Sequence, residues 1–103
     1  MTYNLIITER ANELLDKLVF YLLYQLKNEQ VASHFLDGVA KIYDRVVENP
    51  FQFPQCRDSV LKRKEYREAV IPDMNYLVIY RVHKHDIYIL GVFHFLENYN
   101  QKL

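Results

Sequence analysis

A chain of 103 residues, half of them apolar, suffices for one modest core over residues 1–103 and leaves little room for a second domain. Thirteen Lys and Arg balance thirteen Asp and Glu, and this neutrality argues against a general nucleic-acid binder, whose affinity rests on a basic surface. The lone Cys56 rules out an internal disulfide, and the longest apolar run, Leu18 to Tyr24, falls far short of the roughly twenty residues needed to span a membrane.

In chain order, Tyr3 to Ile7 reads as a short strand, followed by Thr8 as a helix cap and Glu9 in the first helical turn. Apolar residues then recur at Ala11, Leu14, Leu15, Leu18, Val19, Leu22, Leu23 and Leu26, the spacing of an amphipathic helix. Phe20, Tyr21 and Tyr24 widen that stripe and read either as padding of the helix pair or as an exposed docking face. Asn28 caps a second helix, with its stripe at Ala32, Phe35, Leu36, Val39, Ile42, Tyr43 and Val46. The short break at Lys27-Asn28 folds the two helices back as an antiparallel hairpin, and Pro50 to Pro54 is an extended connector.

From residue 59 the period changes to two. Ser59 to Lys64 and Tyr66 to Ile71 read as strands of mixed polarity, followed by a turn at Pro72 to Asn75. Tyr76 to Val82 and Ile87 to Phe93 are β-branched and aromatic, as strands buried on both faces are, and Gly91 alone interrupts the second. His83 to Asp86 forms the hairpin between them, and Leu96 to Leu103 is a polar tail with room for a short helix. The order predicts an α+β fold: an N-terminal strand and a long antiparallel helical hairpin packed on one face of an antiparallel sheet, the other face partly open.

Nine Tyr and six Phe are many for so small a core, and tyrosine is the aromatic that tolerates a wet interface edge. The composition therefore points to a protein partner more than to a small-molecule pocket. No signal peptide precedes Tyr3, so the expected compartment is the cytoplasm, where Cys56 stays a reduced thiol. His83 and His85 with Cys56 fall short of a zinc set, because no closely spaced ligand pair completes it; neither metal nor cofactor is expected.

Tyr3, Thr8 and Ala11, the long helical hairpin, Val47-Glu48-Asn49-Pro50 with Pro54, Tyr66-Arg67, Asn75 to Val82 and Ile87 to His94 fall into one register. In that order and spacing the chain resembles the RelE/ParE superfamily of toxins from type II toxin–antitoxin systems, over nearly its whole length. The resemblance implies a toxin neutralised by a cognate antitoxin whose C-terminal segment wraps it, in a hetero-oligomer. RelE-like members cut mRNA on the ribosome; ParE-like members inhibit DNA gyrase and have no established hydrolytic site.

Metal-free RNA cleavage needs a base, an acid and cations to hold the phosphorane charge. Lys62, Arg63 and Lys64 on one strand, Arg67 and Arg81 on later ones and His94 at the last strand's end are the groups available. Arg67 and His94 lie where the resemblance implies a phosphate-binding arginine and, in one branch, an acid or base, but Phe95 stands where that branch has a tyrosine. Each of these also has a structural reading: Lys62 to Lys64 as a solvated strand, Arg67 and Arg81 as partners of Glu65, Glu68 or Asp73, and His94 as a satisfied strand-end histidine or an antitoxin contact. Neutral charge, two long helices and the Pro50/Pro54 connector favour the ParE-like branch. On that reading the target-facing residues are Arg67, Arg81, His94, Glu97 and Tyr99, and Phe20, Tyr21 and Tyr24 meet the antitoxin, with gyrase as the target. The ribosome with mRNA is the alternative target, and a member that binds its antitoxin but poisons nothing is a third.

Overall fold

The structure, a computed structural model, describes residues 2–103. Four strands, β1 (Asn4–Ile7), β2 (Arg67–Val70), β3 (Tyr76–His83) and β4 (Asp86–His94), form one sheet in the order β1-β4-β3-β2. β3 runs antiparallel to both of its neighbours, whereas β1 lies parallel to β4, from Asn4 opposite Asp86 to Ile7 opposite Ile89. The α+β expectation holds, with a mixed sheet in place of an antiparallel one. Tight turns dictate direction only among β2, β3 and β4; β1 is separated from them by the long helical crossover and is free to enter parallel.

Helix α1 (Glu9–Phe20) starts as its cap dictates. The Thr8 hydroxyl oxygen accepts the Ala11 N–H at 3.1 Å, and the same hydroxyl donates to the Ile89 carbonyl at 2.8 Å, pinning the helix start to β4. The sequence pattern predicts a regular helix to Leu26, but α1 passes into a π-helical turn over Tyr21–Gln25, with the Leu26 N–H reaching the Tyr21 carbonyl. The wider turn breaks the 3.6-residue register: Leu22 stays buried, but Leu26, which the pattern places on the same stripe, is 54% exposed, and Tyr21 and Tyr24 are exposed with it. Lys27, at φ 51°, ends the helix in the left-handed region. Asn28 then caps α2 (Glu29–Glu48) by accepting the Val31 N–H at 3.1 Å.

The hairpin covers one sheet face. Ala32, Phe35, Val39, Ile42 and Val46 of α2 pack with Tyr76, Val78 and Tyr80 of β3 and Ile87, Ile89 and Val92 of β4 in the main core. Burying each of the larger side chains contributes about 1.5–3 kcal/mol. Inside this layer the Tyr80 hydroxyl donates to the Pro50 carbonyl at 2.6 Å, tying the connector to the sheet.

The second face differs from expectation in two ways. Ser59 to Lys64 is no strand: Ser59–Arg63 forms a short helix, α3, because the Asp58 carboxylate caps the Val60 and Leu61 N–H groups at 2.9 and 3.1 Å. Nor is the face open, since Leu61 and Cys56 close over Leu77, Ile79 and Phe93, joined by half-buried Tyr66, Tyr99 and Leu103. Leu14 of α1 belongs to the same cluster, and Gly91 allows its approach, because a Cβ there would stand 2.5 Å from the Phe93 ring and 3.1 Å from Leu14. The connector also seals the outer edge of β2: the Glu68 N–H donates to the Pro54 carbonyl, and the Cys56 N–H to that of Tyr66. Among the described residues no strand covers the outer edge of β1. None of the described helices is long and apolar enough to cross a membrane.

Candidate partner-binding surface

The π-helical turn and the end of β4 face one another across a groove of about 490 Å³, lined by Leu18, Tyr21, Leu26, Tyr76, His94, Leu96 and Glu97. One bank is aliphatic and aromatic; its neighbours Phe20 and Tyr24 stack at 4.7 Å and are more than half exposed. On the other bank Leu96 is 89% exposed, an apolar side chain in a turn where nothing local explains it.

The floor is held rigidly. His94 packs edge-on against Tyr76 at 5.0 Å, and its Nδ1 accepts the Leu96 N–H at 3.1 Å. With Nδ1 used in that way, the neutral ring carries its proton on Nε2 and offers a donor there. Glu97 closes the turn: one carboxylate oxygen accepts the His94 N–H at 2.8 Å, and the other accepts from Lys102 Nζ at 3.1 Å. Burial, reinforced by nearby Tyr21 and Glu97, pushes the Tyr76 hydroxyl above its ordinary value of 10.0 and keeps it neutral. The groove thus offers aromatic walls, aliphatic rims and a few neutral donors, the make-up of a site for an apolar protein anchor.

The basic residues singled out from the sequence do not join this groove. His94 pairs with Tyr76 and Arg81 with Tyr88, so the two lie at opposite ends of β3, about 17 Å apart at ~3.3 Å per residue. Arg67 pairs with Tyr80 and shares its sheet face, which puts Arg81, one residue on, on the opposite face. Lys62, Arg63 and Lys64 are exposed at the end of α3, where Lys64 Nζ donates to the Leu103 carbonyl. Tyr99 is half-buried with its ring 5.6 Å from that of Phe93, and burial raises its hydroxyl pKa. Of the five proposed target residues, only His94 and Glu97 line the groove, and of the three proposed antitoxin residues, Tyr21 does.

Sequence reasoning missed Tyr76, Leu26 and Leu96 as groove residues. Tyr76 reads as an ordinary core strand residue, and its place beside the helix turn depends on tertiary packing. Leu96 carried a signal, since an apolar residue just after a strand end, in a polar tail, has no core to join.

Cys56 is buried, and burial first, then Glu68 and Asp58, pushes its thiol from 9.0 up to about 12, the opposite of an activated nucleophile. Among the described residues no three His, Cys, Asp or Glu side chains are grouped to hold a metal.

The sequence model of one protein family, described as the ParE toxin of the type II toxin–antitoxin system parDE, matches residues 5–99. Among solved structures, the chain is similar to one titled as the chromosomal ParDE toxin–antitoxin system from P. aeruginosa. The TM-score is 0.69 and the identity 16%, with 90% of this chain and 96% of that one covered. At that identity the likeness concerns the fold. A comparison with the curated proteins found no match.

Proposed function

Since the chain belongs to the ParE toxin family of type II toxin–antitoxin systems, we propose that it acts in the cytoplasm, arresting growth by binding and inhibiting DNA gyrase until a cognate antitoxin neutralises it. The observation that carries this reading is the aromatic and aliphatic groove beside His94, with the cationic side chains dispersed away from it. A nuclease site needs cations converging on one phosphate and a base beside them. Here the Nδ1 of His94 is already engaged by the Leu96 N–H, and Arg67, opposite Tyr80, lies about 13 Å further along the sheet and two strands across from it.

The groove also suggests how neutralisation works. His94, Glu97 and exposed Leu96 on one bank engage the target, while Phe20, Tyr21 and Tyr24 on the other receive the antitoxin. Tyr21 lines the groove itself, so an antitoxin held there blocks the target by occupying its seat. No long-range conformational change is required.

The test is a DNA supercoiling assay with purified gyrase, run beside a translation reaction carrying a labelled message. Inhibited supercoiling with intact message is expected, and replacing Leu96 by Asp weakens it at least about tenfold. Message cut within codons while supercoiling proceeds would replace this reading with that of a ribosome-dependent nuclease. Unaffected supercoiling and intact message together would leave a protein that binds its antitoxin without poisoning a target.

A further inference from the structure

At the opposite end of the sheet from the groove, two arginines converge on the connector. The Arg45 guanidinium lies 5.0 Å from the centre of the Phe53 ring, and Arg67 Nη1 donates to the Phe53 carbonyl at 2.6 Å. Arg67 also stacks over Phe51 at 5.2 Å. Each guanidinium is thereby held in place by a ring while spending few of its five N–H donors: Arg45 gives one to the Gln52 side-chain oxygen, Arg67 one to Phe53. Among the described residues, neither arginine has a carboxylate within 4.0 Å, in a chain whose formal charges cancel.

From Arg67 a row of rings crosses the sheet end. Phe51, 56% exposed, meets Tyr3 at 6.5 Å, and Tyr3 meets His85 at 6.4 Å. Side chains on one face of an extended strand recur every ~6.6 Å, close to the spacing of this row. Pre-ordered guanidiniums with free donors match carboxylates, and the exposed Phe51 ring beyond Arg67 matches an apolar side chain. Glu65 lines the small cleft beside Arg67 and Phe51, and Asp86 accepts from the Asn4 amide near His85. These two carboxylates oppose a continuous polyphosphate but leave room for discrete acidic side chains.

We propose that the Arg45–Arg67–Phe51–Tyr3–His85 row is a docking track for an extended segment of a protein partner that carries acidic and apolar residues on one face, at every second position. The carboxylates pair with Arg45 and Arg67, and the next apolar side chain on that face covers Phe51. The track is separate from the groove at His94, so its fate in the following test is independent of gyrase inhibition.

The probe is a fluorescently labelled twelve-residue peptide of two Glu-Ser-Glu-Ser-Val-Ser repeats, which carries its acidic and apolar residues on one face, titrated with the full chain and followed by anisotropy. Saturable binding is expected, weakening as salt rises. Arg67→Gln and Phe51→Ala each weaken it by about tenfold or more, and Lys17→Gln on α1 leaves it unchanged. Arg67→Lys keeps the charge but loses the fork and most of the affinity, a result that misfolding of the Gln variant would not mimic. Any of three results overturns the proposal: no binding of this peptide, equal binding of its counterpart with Lys in place of Glu, or tighter binding of a twelve-nucleotide oligothymidine.

Discussion

The two faces of the sheet are covered by different kinds of structure. On one face a twenty-residue helix with its partner supplies a long apolar stripe, and the core there contains Phe35, Tyr80, Ile42 and Val46, all essentially inaccessible. In the other, smaller cluster around Leu77, Ile79 and Phe93, a five-residue helix, a connector residue, the C-terminal tail and Leu14 of α1 supply the cover. The first layer is close-packed along its length. The second is a patchwork held by single polar contacts, such as Asn100 to Asp58 at 3.0 Å and the Arg57 N–H to buried Glu68 at 2.8 Å. A sheet can evidently bury both sides with only one regular layer, provided the other side is stitched down.

Substitutions sharpen this contrast. Phe35→Ala removes a fully buried ring stacked 4.7 Å from Tyr76 and costs about 3–5 kcal/mol, read from urea denaturation midpoints. Leu61→Ala on the second face costs about 2–3 kcal/mol, at the low end for such a change because the short helix and tail can settle into the gap. Equal losses at the two positions would erase the distinction between the faces. Tyr80→Phe leaves the Pro50 carbonyl without its donor and costs about 1–2 kcal/mol.

Tyr43 provides the smallest effect and the one of opposite sign. Among the described residues its buried hydroxyl has no hydrogen-bond partner, so Tyr43→Phe is neutral or stabilising by up to about 1 kcal/mol at pH 7. Burial pushes the Tyr43 and Tyr80 hydroxyls from 10.0 to about 12. Their neutral forms are favoured by folding, so this stability is intact below pH 10 and is lost as pH rises from there through about 12. Thermal melts across that range should show a steep decline in the parent chain and a shallower one in Tyr43→Phe. Parallel declines would mean that Tyr43 ionises as easily folded as unfolded.

Legibility in the sequence follows the same division. The stripe at Ala32, Phe35, Val39, Ile42 and Val46 repeats for about four turns, long enough for its period to be unmistakable, and all five residues are buried as read. Ser59 to Arg63 spans little more than one turn, too short to show any period, and Val60-Leu61-Lys62 imitates alternation. The Asp58 cap was the available clue. The divergence of Arg67 from Arg81 followed from strand parity but required the β2–β3 register, which only the Pro72–Asn75 turn fixes. The groove at His94 depended on where a π-helical turn meets a strand end, and no local pattern encodes that meeting.

The unequal margins of the sheet have a consequence for self-association. The connector engages the β2 margin at the Tyr66 carbonyl and the Glu68 N–H, whereas among the described residues no strand meets the outer margin of β1, and Ile6 and Ile7 there are more than a third exposed. If two molecules joined through that margin, each would present only its sealed border outward. Growth would halt at a pair, and the protein would be spared the runaway stacking that leads to fibrils.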